Sequence, residues 1–482
     1  MRSKTMPKIM LFLPSASAHY VTPPIGLGYL AAALKKAGFE EVAILDGQKE
    51  NLSFSELEQR LINDKPDVIG VQIFSLGYST ARAAIGLVRR LLPETIIIVG
   101  GPHVTATADR VLADLTEADY GFIGEAEPGL PLLLQKLFRG REVPVKDIPG
   151  LIYRHEGKVV VNPRGLVLDL DSLGFPAWEC MPPNTYPDAP QGAFYERFPI
   201  APILTSRGCP FDCTFCGSPV NMTKRYRERS IPNVLAEIEM LQQKYGIREI
   251  HVIDDMFSLH KQRVLDFCGG LLARKIDISY TFPNGLRLDT LDKEILTLMK
   301  KTGAYAFTVG IESGSERILK LMKKKLTLEL IREKVELIRD CNLEPSGFFI
   351  VGFQGETRED IEATIQFAKS LPLKRAHFSN YLPLPGTEST NELIRTGEIQ
   401  AGNWDELAYY KVPYSPKGIS KTELKSYQRK AFLGFYLRPH IILKMFSELR
   451  SFHHLRSIVF RAIDYLFGAK EKGRGLTGGT TK

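Results

Sequence analysis

Residues 206–219 read SRGCPFDCTFCGSP and place three thiols, Cys209, Cys213 and Cys216, on one short loop with the spacing C-x3-C-x2-C. The chain has six cysteines in 482 residues, too sparse for a disulfide-stapled secreted scaffold. Half of them crowd into this loop, while Cys180, Cys268 and Cys341 stand apart. Thiolates suit a soft iron–sulfur core, and three of them can hold three irons of a 4Fe–4S cluster. One iron then keeps an open position, the feature that separates catalytic from structural sites at zinc as well. A structural zinc site would want a fourth ligand, and no second C-x2-C or His pair follows at a familiar spacing. A ferredoxin would want a fourth cysteine.

Outward from this loop, residues 198–390 alternate strand and helix. The expected strands are 203–206, 249–254, 278–282, 305–311, 347–352 and 377–382. Helical patterns lie between them at 234–245, 264–273, 293–301 and 328–341. Six such units imply a partial (β/α)6 barrel of TIM type. Polar residues follow successive strands, at the end where such barrels keep their sites. Asp254 and Asp255 follow the second strand, and Asn284, Gly285 and Arg287 the third. Glu312 and Ser313 end the fourth, Gly352, Gly355 and Glu356 follow the fifth, and LPLPGTE (382–388) follows the sixth. Each also has an ordinary structural reading: Asp254 could cap a helix, Glu312 could be a buried ion-pair partner, and Gly352 could be a turn.

Residues 1–144 carry a second α/β pattern. Strands are expected at 8–13, 42–46, 68–73, 95–100 and 119–124, with helices at 26–37, 54–63, 80–92 and 106–115. This is a Rossmann-like (flavodoxin-like) domain with a parallel sheet, which takes ligands beyond the carboxyl ends of its strands. Gly100 and Gly101 end a buried strand where backbone could approach a bulky ligand. Ser75, Ser79 and Thr80 offer hydroxyls, and Glu125 lies in GEAE (124–127). Residues 145–197 read as a Pro- and Gly-rich linker with one hairpin, LIYRHEGKVVVN. Residues 391–482 read as C-terminal helices and a tail.

The motif C-x3-C-x2-C, with Phe215 just before the last cysteine, resembles the radical SAM superfamily. With the N-terminal domain, the chain is similar over roughly residues 5–460 to the cobalamin-binding branch of that superfamily. The resemblance implies that Cys209, Cys213 and Cys216 hold a 4Fe–4S cluster whose open iron takes S-adenosylmethionine. It implies that Phe215, Asp254, Asp255, Asn284, Arg287, Glu312, Ser313 and Gly352 line the S-adenosylmethionine site. It also implies cobalamin in the N-terminal domain, with Ser75, Thr80, Gly100, Gly101 and Glu125 near it. The D-x-H-x-x-G motif that often supplies a lower cobalt ligand is missing. Asp46-Gly47-Gln48 comes no closer, and His103 reads as a loop residue.

Methylthiotransferases need a second cluster near the N-terminus, yet no cysteine precedes Cys180 and none follows Cys341. One cluster plus cobalamin leaves methyl transfer to an unactivated carbon or phosphorus of a small or lipid-like molecule as the expected outcome. Radical ring cyclisation is the alternative within the branch. A non-catalytic cobalamin sensor or carrier, or a plain electron-transfer protein, is the alternative outside it. The resemblance further implies an external one-electron donor such as flavodoxin or ferredoxin.

The formal net charge is +8. Residues 421–482 hold 13 Lys and Arg against 4 Asp and Glu, so the whole excess sits there. Nucleic-acid binding across the body is therefore not expected. Residues 441–467 have helical apolar spacing with Lys444, Arg450, Arg456 and Arg461 interspersed. That helix either docks on the barrel or lies peripherally on an anionic membrane. The apolar run after Lys8 is too short for a signal peptide, and the expected setting is the cytoplasm.

Overall fold

The computed structural model describes residues 6–15, 21–187, 195–402, 404, 407 and 411–447. They form two compact units, one built mainly from the chain up to Pro187 and one from the chain that follows.

In the first unit, five strands run parallel: β1 (Ile9–Leu13), β2 (Val42–Asp46), β3 (Val68–Gln72), β4 (Ile96–Gly100) and β5 (Tyr120–Phe122). Their order is 2-1-3-4-5, so the chain adds strands in opposite senses on the two sides of β1, with the switch point between β1 and β3. β1 is the continuous apolar run IMLFL, buried at every residue, as a strand covered on both faces must be. Leu11, Leu27, Leu34, Val68, Ile98 and Leu134 share its core with neighbouring elements. The flanking helices form near their expected positions, and a Ser53–Glu56 capping box starts Phe54–Asp64. The single helix expected at 106–115 is instead two short ones, Pro102–Ala106 and Val111–Asp114, with the break at 107–110.

The expected hairpin also forms, as β6 (Leu151–His155) and β7 (Lys158–Val161). It is not linker. β6 pairs antiparallel with β5, and the sheet extends to seven strands. The boundary expected after residue 144 therefore falls inside this unit. Leu151 and Ile152 carry the contact because they are fully buried against the sheet.

The second unit has a six-stranded parallel sheet in sequential order, β8 (Ile200–Ile203), then β11 (Glu249–Val252), β12 (Ser279–Leu286), β13 (Ala304–Glu312), β14 (Glu344–Val351) and β15 (Arg375–Asn380). Among the described residues, the remaining strands of this unit are a pair of two residues each, β9 (Ser206–Arg207) and β10 (Arg227–Glu228). The first barrel strand thus ends earlier than the expected 203–206. At Thr205 the backbone N–H leaves the ladder and donates to Asp254.

The helix Lys421–Tyr436 covers the edge of β15 with polar side chains. Gln428 accepts from Asn380 and donates to the carbonyl of Phe378, and the Tyr436 hydroxyl donates to the carbonyl of Ala376. These bonds occupy edge groups that would otherwise face solvent. The helix expected within residues 421–467 thus begins by sealing the barrel sheet. Helix Pro439–Ser447 follows, and residues 448–467 of the expected amphipathic helix lie outside the described residues. Among the described residues, no helix is long and apolar enough to cross a membrane.

Candidate cluster and cofactor sites

The cysteine loop leaves β9 at Arg207. Cys209, Cys213 and Cys216 are all free and half-buried. Burial pushes the Cys209 thiol up, and the Cys216 thiol up to about 12. A metal that takes these sulfurs must displace their protons. Both thiols also interact electrostatically with Cys213, so the three sulfurs share one neighbourhood. Among the described residues, no three His, Cys, Asp or Glu side chains converge on the space of a single metal ion. A cubane makes a different demand, since each thiolate takes its own iron. The donor set fits such a cluster.

The loop is held from three sides. Thr214 donates its N–H to the carbonyl of Met322 at 3.0 Å, and its own carbonyl accepts from the N–H and hydroxyl of Ser389. The Arg287 guanidinium lies 3.8 Å over the Phe211 ring while its Nη2 donates to the carbonyl of Lys324. Asp212 pairs with Lys224. Phe215 packs edge-on against Phe353 with ring centroids 6.4 Å apart.

The polar residues expected around S-adenosylmethionine divide into two groups. Asp255 and Asn284 are exposed at strand ends, where Asp255 accepts from Ser218 and Asn284 donates to the carbonyl of Ile253. Arg287 packs on Phe211 of the cysteine loop, and Glu312 is paired at 2.8 Å with Lys324 of the segment that bonds the loop. Arg287 and Glu312 are themselves buried, as are Asp254 and Ser313. Asp254 is buried, and its carboxylate accepts from the N–H and hydroxyl of Thr205 and the hydroxyl of Ser206. Burial raises its pKa, and the Ser206 and Thr205 bonds counter that. Ser313 is fully buried against Thr364. Gly352 has φ 84°, and a Cβ there would come within 2.4 Å of Leu424, so side-chain packing demands the glycine.

Sequence reasoning missed Lys324, Phe211 and Thr214. A run of three lysines reads as solvated surface, and only the fold turns the middle one inward.

At the carboxyl ends of β3 and β4, Ser75 hydrogen-bonds Nδ1 of His103 at 3.0 Å. The His103 ring lies 4.4 Å from Tyr78 and is buried, which pushes its pKa down to about 4. The two glycines differ. A Cβ on Gly101, at φ 101°, would stand 2.9 Å from the carbonyl oxygen of Ile73, so the chain's own backbone requires it. A Cβ on Gly100 would meet nothing closer than 4.0 Å, which leaves its face open to a ligand. Thr80 lies within the helix Tyr78–Leu91. Glu125 is buried and accepts from the N–H of Val167, which ties a crossing segment to the end of the sheet.

Two family models match the chain, the radical SAM superfamily over residues 203–368 and the B12-binding domain over residues 14–134. An uncharacterized methyltransferase of Pyrococcus horikoshii, PH0819, is 33% identical over 94% of this chain and 97% of its own length. The chain belongs to the cobalamin-binding radical SAM enzymes. The family's cofactors are the 4Fe–4S cluster, S-adenosylmethionine and cobalamin. The cytidylyl-2-hydroxyethylphosphonate methyltransferase of Streptomyces wedmorensis is 29% identical over 84% of each chain. The fold is shared with the cobalamin-dependent S-adenosylmethionine radical enzyme OxsB, solved with aqua-cobalamin and S-adenosylmethionine bound. The TM-score is 0.72 at 17% identity, covering 96% of this chain and 71% of that one.

Proposed function

We propose that this enzyme transfers a methyl group to an unactivated carbon or phosphorus of a small molecule. The observation that carries the reading is the loop of three half-buried thiols, anchored through Thr214 and Phe211 at the strand ends of a six-stranded parallel barrel sheet. When bound, the cluster supplies the electron that cleaves S-adenosylmethionine, and cobalamin supplies the methyl group. The chain's own part is to hold and orient. Cys209, Cys213 and Cys216 bind three irons, Asp255 and Asn284 offer polar groups at neighbouring strand ends, and the buried Arg287 and Glu312 brace the loop and the segment beside it. In the first unit, the open face of Gly100 offers the close approach that a corrin needs. The phosphonate methyltransferase among its relatives supports a small-molecule acceptor. An external flavodoxin- or ferredoxin-type protein delivers the electron.

The proposal extends to a peripheral membrane contact. Leu433, Leu437 and Leu443 are exposed on the C-terminal helices, and the positive charge of residues 421–482 surrounds them in sequence. Flotation with anionic vesicles tests that part, and recovery of all the protein unbound overturns it.

The central test is anaerobic reconstitution with iron, sulfide, cobalamin, a reductant and methyl-labelled S-adenosylmethionine. Formation of both 5′-deoxyadenosine and S-adenosylhomocysteine in extracts, with label in a new small molecule, is expected. Deoxyadenosine without methyl transfer would favour the ring-forming reading. Cobalamin binding with neither product would leave a sensor or carrier.

A further inference from the structure

The segment Leu321–Thr327 reads LMKKKLT and lies directly against the cysteine loop. Its backbone is unusual. Lys323 and Lys325 have φ 52° and 56°, in the left-handed region that non-glycine residues avoid, and Glu312 opposite has φ 70°. Such conformations persist only where the surroundings fix them, and they cluster at functional sites. Here the result is that Lys324 turns inward while its two neighbours face out. Its side chain is 10% exposed, and Nζ donates to Oε1 of Glu312, itself 10% exposed, at 2.8 Å. The carbonyl of Lys324 accepts from Arg287, and the carbonyls of Leu321 and Met322 accept from Thr214. Burial works against the lysine's charge, but attraction to Glu312 and then to Cys213 holds its pKa above the ordinary value.

We infer that Lys324 is a positioning residue of the cluster site, placed to set the cluster's reduction potential. A cluster with three thiolates gains negative charge on reduction, and cluster potentials follow net charge and surroundings. A buried ammonium on the segment that bonds the cysteine loop through Thr214 favours the reduced form, and the paired Glu312 carboxylate moderates that field. The two residues therefore act in opposite directions on one quantity. Low-dielectric surroundings preserve the effect, since little water screens it. The inference rests on the radical SAM reading.

The test is a dye-mediated redox titration of the reconstituted full-length protein without S-adenosylmethionine, followed by EPR of the reduced cluster. Lys324→Met should shift the midpoint potential to a more negative value, and Glu312→Gln to a more positive one. Lys324→Arg, which keeps the charge, should restore the wild-type value. A role in loop folding alone would move the Met and Gln variants the same way or lower iron content without shifting the potential, and either result overturns the inference. If Lys324→Met fails to load iron, the signs of the Gln and Arg variants decide. Failure of the wild-type protein to bind a cluster would instead overturn the family-based site assignment.

Discussion

The Asp254 carboxylate receives both the backbone N–H and the hydroxyl of Thr205, at 2.6 Å and 2.5 Å, across 49 residues of sequence. With Ser206 as a third donor, it clamps the end of β8 to the end of β11 just before the cysteine loop begins. Removing it strands three buried donors. Asp254→Ala should cost roughly 2–4 kcal/mol of stability, as stranding several buried donors does. It should also lower cluster loading. Urea unfolding and iron content check both, and an unchanged unfolding midpoint would refute the clamp.

Each cysteine of the loop is separately required. Two remaining thiolates cannot hold a cubane on three corners. Cys209→Ala, Cys213→Ala and Cys216→Ala should each reduce bound iron and 5′-deoxyadenosine formation to background while far-UV circular dichroism stays unchanged. Substituting the buried, unclustered Cys268 by Ala should leave iron content as in the wild type.

Glu356 predicts a pH dependence. Burial pushes its pKa up to about 8, against the lowering effect of the Gly352 and Phe353 N–H groups that bond one carboxyl oxygen. The folded chain therefore holds this proton at pH values where the unfolded chain has released it. Stability contributed at this position falls as pH rises from the ordinary carboxylate range to about 8 and is level above that. Glu356→Gln carries no titration and should flatten the decline. Urea midpoints of both proteins at pH 5.5 and 8.5 measure it, and parallel pH profiles would count against the raised pKa.

The two glycines after β4 should separate folding from binding. Gly101→Ala forces a Cβ against the Ile73 carbonyl in a left-handed conformation. It should destabilise by more than about 1 kcal/mol and lower the melting temperature by several degrees. Gly100→Ala meets no protein atom inside 4.0 Å and should melt like the wild type. Its expected defect is in cobalamin content, read from the absorbance of the purified holoprotein. Normal cobalamin content in Gly100→Ala would remove that residue from the proposed site.

Local patterning carried much of the architecture. The IMLFL run, the glycine-flanked strands and the period of the intervening helices were readable because strand burial and helix amphipathicity act within a few residues. The hairpin 151–161 was legible as a hairpin. Its attachment to β5 was not, because pairing across 30 residues leaves no local mark. Among the site residues, the cysteines were legible because three soft ligands on one loop have few other uses. Asp254, Ser313, Gly352 and Glu125 looked equally polar or equally small, yet in the fold each is packed against or bonded to other protein groups.

By itself, then, the sequence determined the two α/β units and the cluster loop, since spacing and composition encode them directly, and its resemblance to a known family implied the chemistry. Only the tertiary structure decided which polar side chains remain available and which are consumed as clamps. It also decided that the middle lysine of Lys323-Lys324-Lys325 is buried against Glu312. The physical reason is one of competition. A buried carboxylate or ammonium must find a partner, and whether that partner is protein or ligand depends on strands that meet only in three dimensions.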